Sequence, residues 1–152
     1  MPLPLQKMRE ILFLLLYCHD FAECSEEDSI ALVMRELEVT KKSMLEAQAQ
    51  KILVLEKMGT IDGLIAQAAS SYEFQRIPHI ERNILRLGVY ELFYAPGLPA
   101  KVAIAEAVRL SRKFASPESA TFVNAVLDAI YRSNMEGPEK HAESSLCSMR
   151  AE

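Results

Sequence analysis

Glycine and cysteine are scarce in this sequence, and no apolar run is long. With five glycines in 152 residues, frequent Ala, Leu, Glu and Met, and no stretch that alternates apolar and polar residues over strand length, the composition favours helix over sheet. The three cysteines, Cys18, Cys24 and Cys147, are too few and too unevenly spaced for a disulfide framework. An odd count would strand one thiol, so a reducing, cytoplasmic setting is expected. Cys18, His19 and Cys24 match no zinc-ligand spacing and no second ligand pair comes after them, so no metal is expected. The run "ILFLLLYC" is eight residues long, whereas a bilayer span needs about 20. It leads into "HDFAECSEED" instead of a small-residue cleavage site, so it reads as a buried first helix and no membrane is expected.

A basic excess is also missing, since 17 Lys and Arg stand against 21 Asp and Glu. The average hides a division. Residues 76 to 132 hold eight basic side chains against five acidic ones, a balance of +3, and the rest of the chain carries −7. Such an asymmetry permits a basic face on an acidic protein, although a mixed solvated surface gives the same count.

The chain length suits one domain with one core, burying about two-thirds of the unfolded surface. A first helix is expected from Leu5 to Phe21, and a second from a Ser25 cap to Leu37 with Glu26, Glu27 and Asp28 at its positive end. A third, Lys41 to Met58, carries Leu45, Ile52 and Leu55 and stops at Gly59, and Thr60 then caps a shorter helix. From Pro78 to Tyr94 the spacing buries Ile80, Ile84, Leu85, Gly88 and Leu92 and sets Arg82, Arg86 and Tyr90 in an outward stripe. Gly88 costs about 1 kcal/mol in a helix interior, so a closely approaching helix is expected there. Beyond 133, residues 134–152 show little periodicity and are expected to form a flexible tail.

In "KFASPESATFVNAVLDAIYR", Ser116 can cap a helix, Pro117 suits its first position and Glu118 meets the helix dipole. Asn124 is expected to satisfy a buried backbone group at a helix crossing, and Asp128 to be exposed. Lys113 and Phe114 stand just before this start. Aromatic faces beside basic groups suit single-stranded RNA. No Ser-His-Asp or paired-Cys constellation and no cofactor-binding glycine motif stands out, so neither catalysis nor a cofactor is expected.

The segment "ERNILRLGVYELFYAPGLPAKVAIAEAVRLSRKFASPESATFVNAVLDAIYR" resembles the C-terminal half of the NusB family of bacterial transcription antitermination factors. The landmarks are the "ILRLGVYEL" helix, the "LPAKVAIAEAV" entry, the "KFASPES" turn and the "FVNAVLD" helix. The resemblance implies an all-α fold of two small helix bundles packed roughly perpendicular over residues 1–133, without catalytic activity. It implies binding of boxA-type single-stranded RNA together with the ribosomal protein NusE, within an RNA polymerase antitermination complex on ribosomal RNA operons. An appendage of an RNA cytosine methyltransferase is a rival that the missing glycine motif disfavours.

By position, the resemblance puts Lys7, Arg9, Tyr17, Lys113, Phe114 and Phe122 at the RNA. Glu81, Arg82, Arg86, Tyr90 and Glu91 fall at NusE. Five positions depart from the family pattern: Leu5 and Gln6 stand where arginines are common, Thr121 where a lysine is common, Ala120 brings no ring or charge, and Ala105 stands where asparagine is usual. Fewer phosphates can then be neutralised, so RNA affinity and its salt dependence should both fall, and a protein-interaction module with weakened RNA binding is the alternative.

Overall fold

The computed structural model describes residues 4–21 and 23–136. Seven α-helices run in order: α1 Leu5–His19, α2 Glu26–Leu37, α3 Lys41–Glu56, α4 Met58–Ala68, α5 His79–Tyr94, α6 Ala100–Phe114 and α7 Pro117–Tyr131. A short 3₁₀ turn, Phe74–Arg76, precedes α5, and a π-helical turn, Arg132–Glu136, continues α7. No strand occurs among the described residues. The expected tail lies, from residue 137 onward, outside them.

Two apolar clusters divide the molecule. A small one gathers Ile11 and Leu15 of α1 with Val33, Val39, Met44 and Ala47 of the α2–α3 hairpin. The larger one packs Leu12, Phe13 and Leu16 of the same helix against α4, α5, α6 and α7. Helix α1 is apolar on most of its circumference because it serves both clusters, which explains the dense run "ILFLLLYC".

Several helix starts arise from local chemistry. The hydroxyl of Ser25 accepts from the backbone N–H of Asp28 at 3.1 Å, and that of Ser116 accepts from Ser119 at 3.1 Å with Pro117 in the first turn. At Gly88, a Cβ would lie 2.8 Å from Cδ1 of Leu127 and 3.5 Å from Cβ of Ala107. The missing side chain lets α5, α6 and α7 meet, the close approach expected there.

Other expectations are corrected. Helix α1 ends at His19, two residues before Phe21. The break after α3 falls at Lys57, whose N–H donates to Val54, and Gly59 and Thr60 lie inside α4. Helix α3 also turns a different side inward. It buries Met44, Ala47, Lys51 and Val54 and leaves Leu45 and Ile52 exposed. Asn124 is exposed and lines an open hollow between α6 and α7 with Ala105, Arg112 and Thr121. The fully buried amide is instead Asn83, on α5.

Candidate nucleic-acid interface

Aromatic rings form a connected row along α1. Phe13 lies 5.1 Å from Phe114 and 6.3 Å from Tyr17, Tyr17 lies 5.0 Å from Phe21, and Phe21 lies 4.8 Å from the His79 ring. Phe13 is buried, whereas Tyr17, Phe114 and His79 are half-buried and Phe21 is exposed. The spacing of four from Phe13 to Tyr17 to Phe21 aligns these three, and the end of α6 and the start of α5 add a ring at either side. Lys113 stands at one end, its ammonium 5.7 Å from the Phe114 ring. The arrangement offers ring faces and edges beside a cation, a chemistry suited to stacking unpaired bases and meeting phosphates.

A polar seam runs beside this row, where α1 meets α5 and α6. Arg9, with its side chain 11% exposed, donates from Nε to both oxygens of Glu91 at 2.8 and 3.1 Å and lies 3.3 Å from Glu106. Glu106 accepts from Arg109 at 2.5 Å and from Gln6 at 3.1 Å. The buried Glu10 accepts from Lys113 and, at 3.3 Å, from Arg109. Three cations thus meet three carboxylates. Burial pushes the Glu91 carboxyl above its ordinary value against the pull of Arg9. For Glu106 burial acts in the same sense, but hydrogen bonds from Arg109 and Gln6 and the nearby guanidinium groups outweigh it and hold the group low.

A second polar cluster joins α1, α4 and α5 at the other end. Arg86 donates from Nε and Nη2 to the two oxygens of Asp62 at 2.8 and 2.9 Å, and from Nη1 to Asp20 at 2.8 Å and Asn83 at 3.1 Å. Asn83 donates to Asp20 at 2.7 Å and to the His79 carbonyl at 2.8 Å, and Nδ1 of His79 is 3.0 Å from Asp20. Arg82 closes the preceding loop by donating to the carbonyls of Phe74, Gln75 and Ile77.

Comparison with known proteins gives this geometry a lineage. The NusB family model matches residues 6–132. The chain belongs to the NusB family. It is 38% identical over 128 residues to the transcription antitermination protein NusB of Chlamydia pneumoniae, covering 84% of this chain and 80% of that one. A solved structure of NusB from T. maritima superposes with a TM-score of 0.70 at 30% identity, covering 86% and 92% of the two chains. A crystal structure of antitermination factors NusB and NusE in complex with double-stranded RNA aligns at 0.70 and 28% identity, covering 84% and 96%. The curated relatives are antitermination proteins, not enzymes.

In this NusB-family chain the residues singled out in the sequence separate by environment. Tyr17, Lys113 and Phe114 come together at the aromatic row. Lys7 is half-buried, with no ion-pair partner among the described residues. Phe122 stands elsewhere, edge-on to Tyr72 at 5.3 Å in an open groove of about 290 Å³ that Arg76 and Glu81 also line. Arg9 sits inside the seam. On α5, the expected outward stripe is corrected: Arg86 is buried and Arg82 is bound to the loop, because both find acceptors closer than solvent. Glu91 is held by Arg9, Glu81 accepts from the Ser119 hydroxyl at 2.6 Å, and Tyr90 packs on Tyr94 at 5.5 Å. Phe21 and His79 are additions that the sequence reading lacks. The spacing of four that runs from Phe13 and Tyr17 in α1 to Phe21 just beyond its end is the signal that points to Phe21, whereas His79 needs the tertiary fold.

Proposed function

We propose that this chain is a transcription antitermination factor that binds boxA-type single-stranded RNA jointly with NusE, supporting processive transcription of ribosomal RNA operons in the cytoplasm. The observation that carries the reading is family membership along nearly the whole described chain, joined to the likeness to a NusB–NusE–RNA complex. Tyr17, Phe114 and Phe122 are the stacking surfaces, extended by Phe21 and His79, and Lys7 and Lys113 meet phosphates. Arg9 acts as a positioning residue: its pairs with Glu91 and Glu106 fix α1 against α5 and α6, which sets the row beside Lys113. NusE meets the α5 side through Glu81 and Tyr90, with Arg82, Arg86 and Glu91 shaping that surface from within and RNA polymerase completing the assembly.

Fluorescence anisotropy with boxA RNA tests this reading. Affinity should rise when NusE is added, and single-stranded RNA should bind better than the same sequence in a duplex, because stacked bases cannot reach the rings. Absence of binding with NusE at low salt would contradict it. That outcome would favour the second reading, a NusB-family module that keeps only the protein partner, which the neutralised seam also supports.

A further inference from the structure

Helix α3 presents a second apolar face that the fold leaves unused. Opposite the buried Met44, Ala47 and Val54 lie Leu45, Ile52 and Leu53, exposed by 57, 54 and 48%, with the exposed Ala49 between them. Positions 42, 45, 49, 52 and 56 recur at steps of three and four, the spacing with which one helix packs along another. Lys42 and Glu56, both exposed, close the two ends of this stripe, each seven residues from Ala49.

That symmetry selects the occupant. If a two-fold axis passes through Ala49, an antiparallel copy of α3 puts Leu45 against Leu53 of the second copy, and Lys42 against its Glu56. The small side chain at the axis lets the helices approach. A parallel pairing would set Lys42 against Lys42 and Glu56 against Glu56, which is unfavourable. A surface complementary to itself in one orientation is the requirement for an isologous dimer. We infer that this chain associates with a second copy of itself through α3 packed antiparallel about Ala49. The stripe from 42 to 56 is about 21 Å long. It is smaller than a standard stable interface, so the dimer forms and dissociates with concentration in the micromolar range or above.

Sedimentation velocity of the full chain from about 1 to about 500 μM tests this, since association of this kind follows mass action. The average mass should climb from one chain toward two. Leu45→Glu should hold it at one chain throughout, with unchanged circular dichroism and melting temperature because the position is exposed. Lys42→Glu and Glu56→Lys should each weaken association about tenfold. The double substitution should restore it, because both ends invert in both copies. A wild-type chain that stays at one mass at the highest concentration overturns the inference. So does a dimer indifferent to Leu45→Glu, which would use another surface, or one that the charge exchange fails to restore, which would exclude the antiparallel register.

Discussion

In the first half of α5, Arg86 faces Asp20 and Asp62, and Asn83 bonds both Arg86 and Asp20. Toward the other end, Glu91 and Arg9 belong to a seam of three cations and three carboxylates. The first cluster is closed, with the one guanidinium making four donations from its three nitrogens. The second is open along its Lys113 side, where the side chain is 49% exposed. The difference shows what becomes of the basic excess in residues 76–132. Arg86, Arg109 and Lys113 meet acids of other helices, Arg76 and Arg132 pair with Glu73 and Asp128, and Arg82 serves loop carbonyls. Among the described residues only Lys101 and Arg112 of the eight have neither an ion pair nor such a bond. Three of these eight cations join helices together and three more bind local partners, so little of the positive charge counted along the sequence is left free.

The largest effect that would break this contrast is at the closed cluster. Arg86→Ala leaves Asp20 and Asp62 without their common cation, and a loss of about 3 kcal/mol or more is expected in urea unfolding. Arg9→Ala should cost less, about 2 kcal/mol, because Glu106 keeps Arg109 and Glu91, already raised by burial, can take up a proton. Equal losses at the two sites would erase the distinction.

Acid titration gives a smaller and sharper test. Burial alone would raise the Asp20 carboxyl, but hydrogen bonds from His79, Asn83 and Arg86 outweigh it and hold the group below its ordinary 3.8. Its stabilisation is therefore full above 3.8 and is lost as pH falls through the lower folded value. Glu91 acts in the opposite sense. With its folded value above 4.5, its contribution is present in acid and is lost as pH rises through that value. Unfolding free energy measured against pH should lose its steep acid limb in Asp20→Asn, and in Glu91→Gln the decline above pH 4.5 should disappear. Curves unchanged by both substitutions would mean that neither carboxyl differs from its unfolded state.

Much of the fold could be read locally. The Ser116–Pro117 start, the Ser25 cap and the demand at Gly88 for a close neighbour each depend on a few adjacent residues or on one steric requirement, and the structure meets all three. Helix α3 could not be read this way, because apolar residues lie on both of its faces and only its packing against α1 decides which is inside. Helical spacing set Arg86 outward, and the family resemblance set Arg9 at the RNA, yet both turn inward. Neither could show that Glu91, some 80 positions away, or Asp62 on another helix would meet them. Asn124, expected to be buried, is exposed for the same reason, and the buried amide is Asn83, since an amide's burial depends on the helix opposite it. The aromatic row was half legible: Tyr17 and Phe114 came from the family resemblance, and their meeting through Phe13 came only with the fold.

Arg9 is held inside the seam by Glu91 and Glu106, whereas the proposed function gives the half-buried Lys7 the phosphate contact. The most direct test is the salt dependence of boxA RNA binding in the presence of NusE, compared for the wild type, Lys7→Ala and Arg9→Ala at a temperature where all three are folded. For single strands each phosphate contact adds about 0.7 to the slope of log affinity against log salt. Lys7→Ala should reduce the slope by about that amount, and Arg9→Ala should leave it unchanged. A slope that falls with Arg9→Ala and stays fixed with Lys7→Ala would contradict this division of roles.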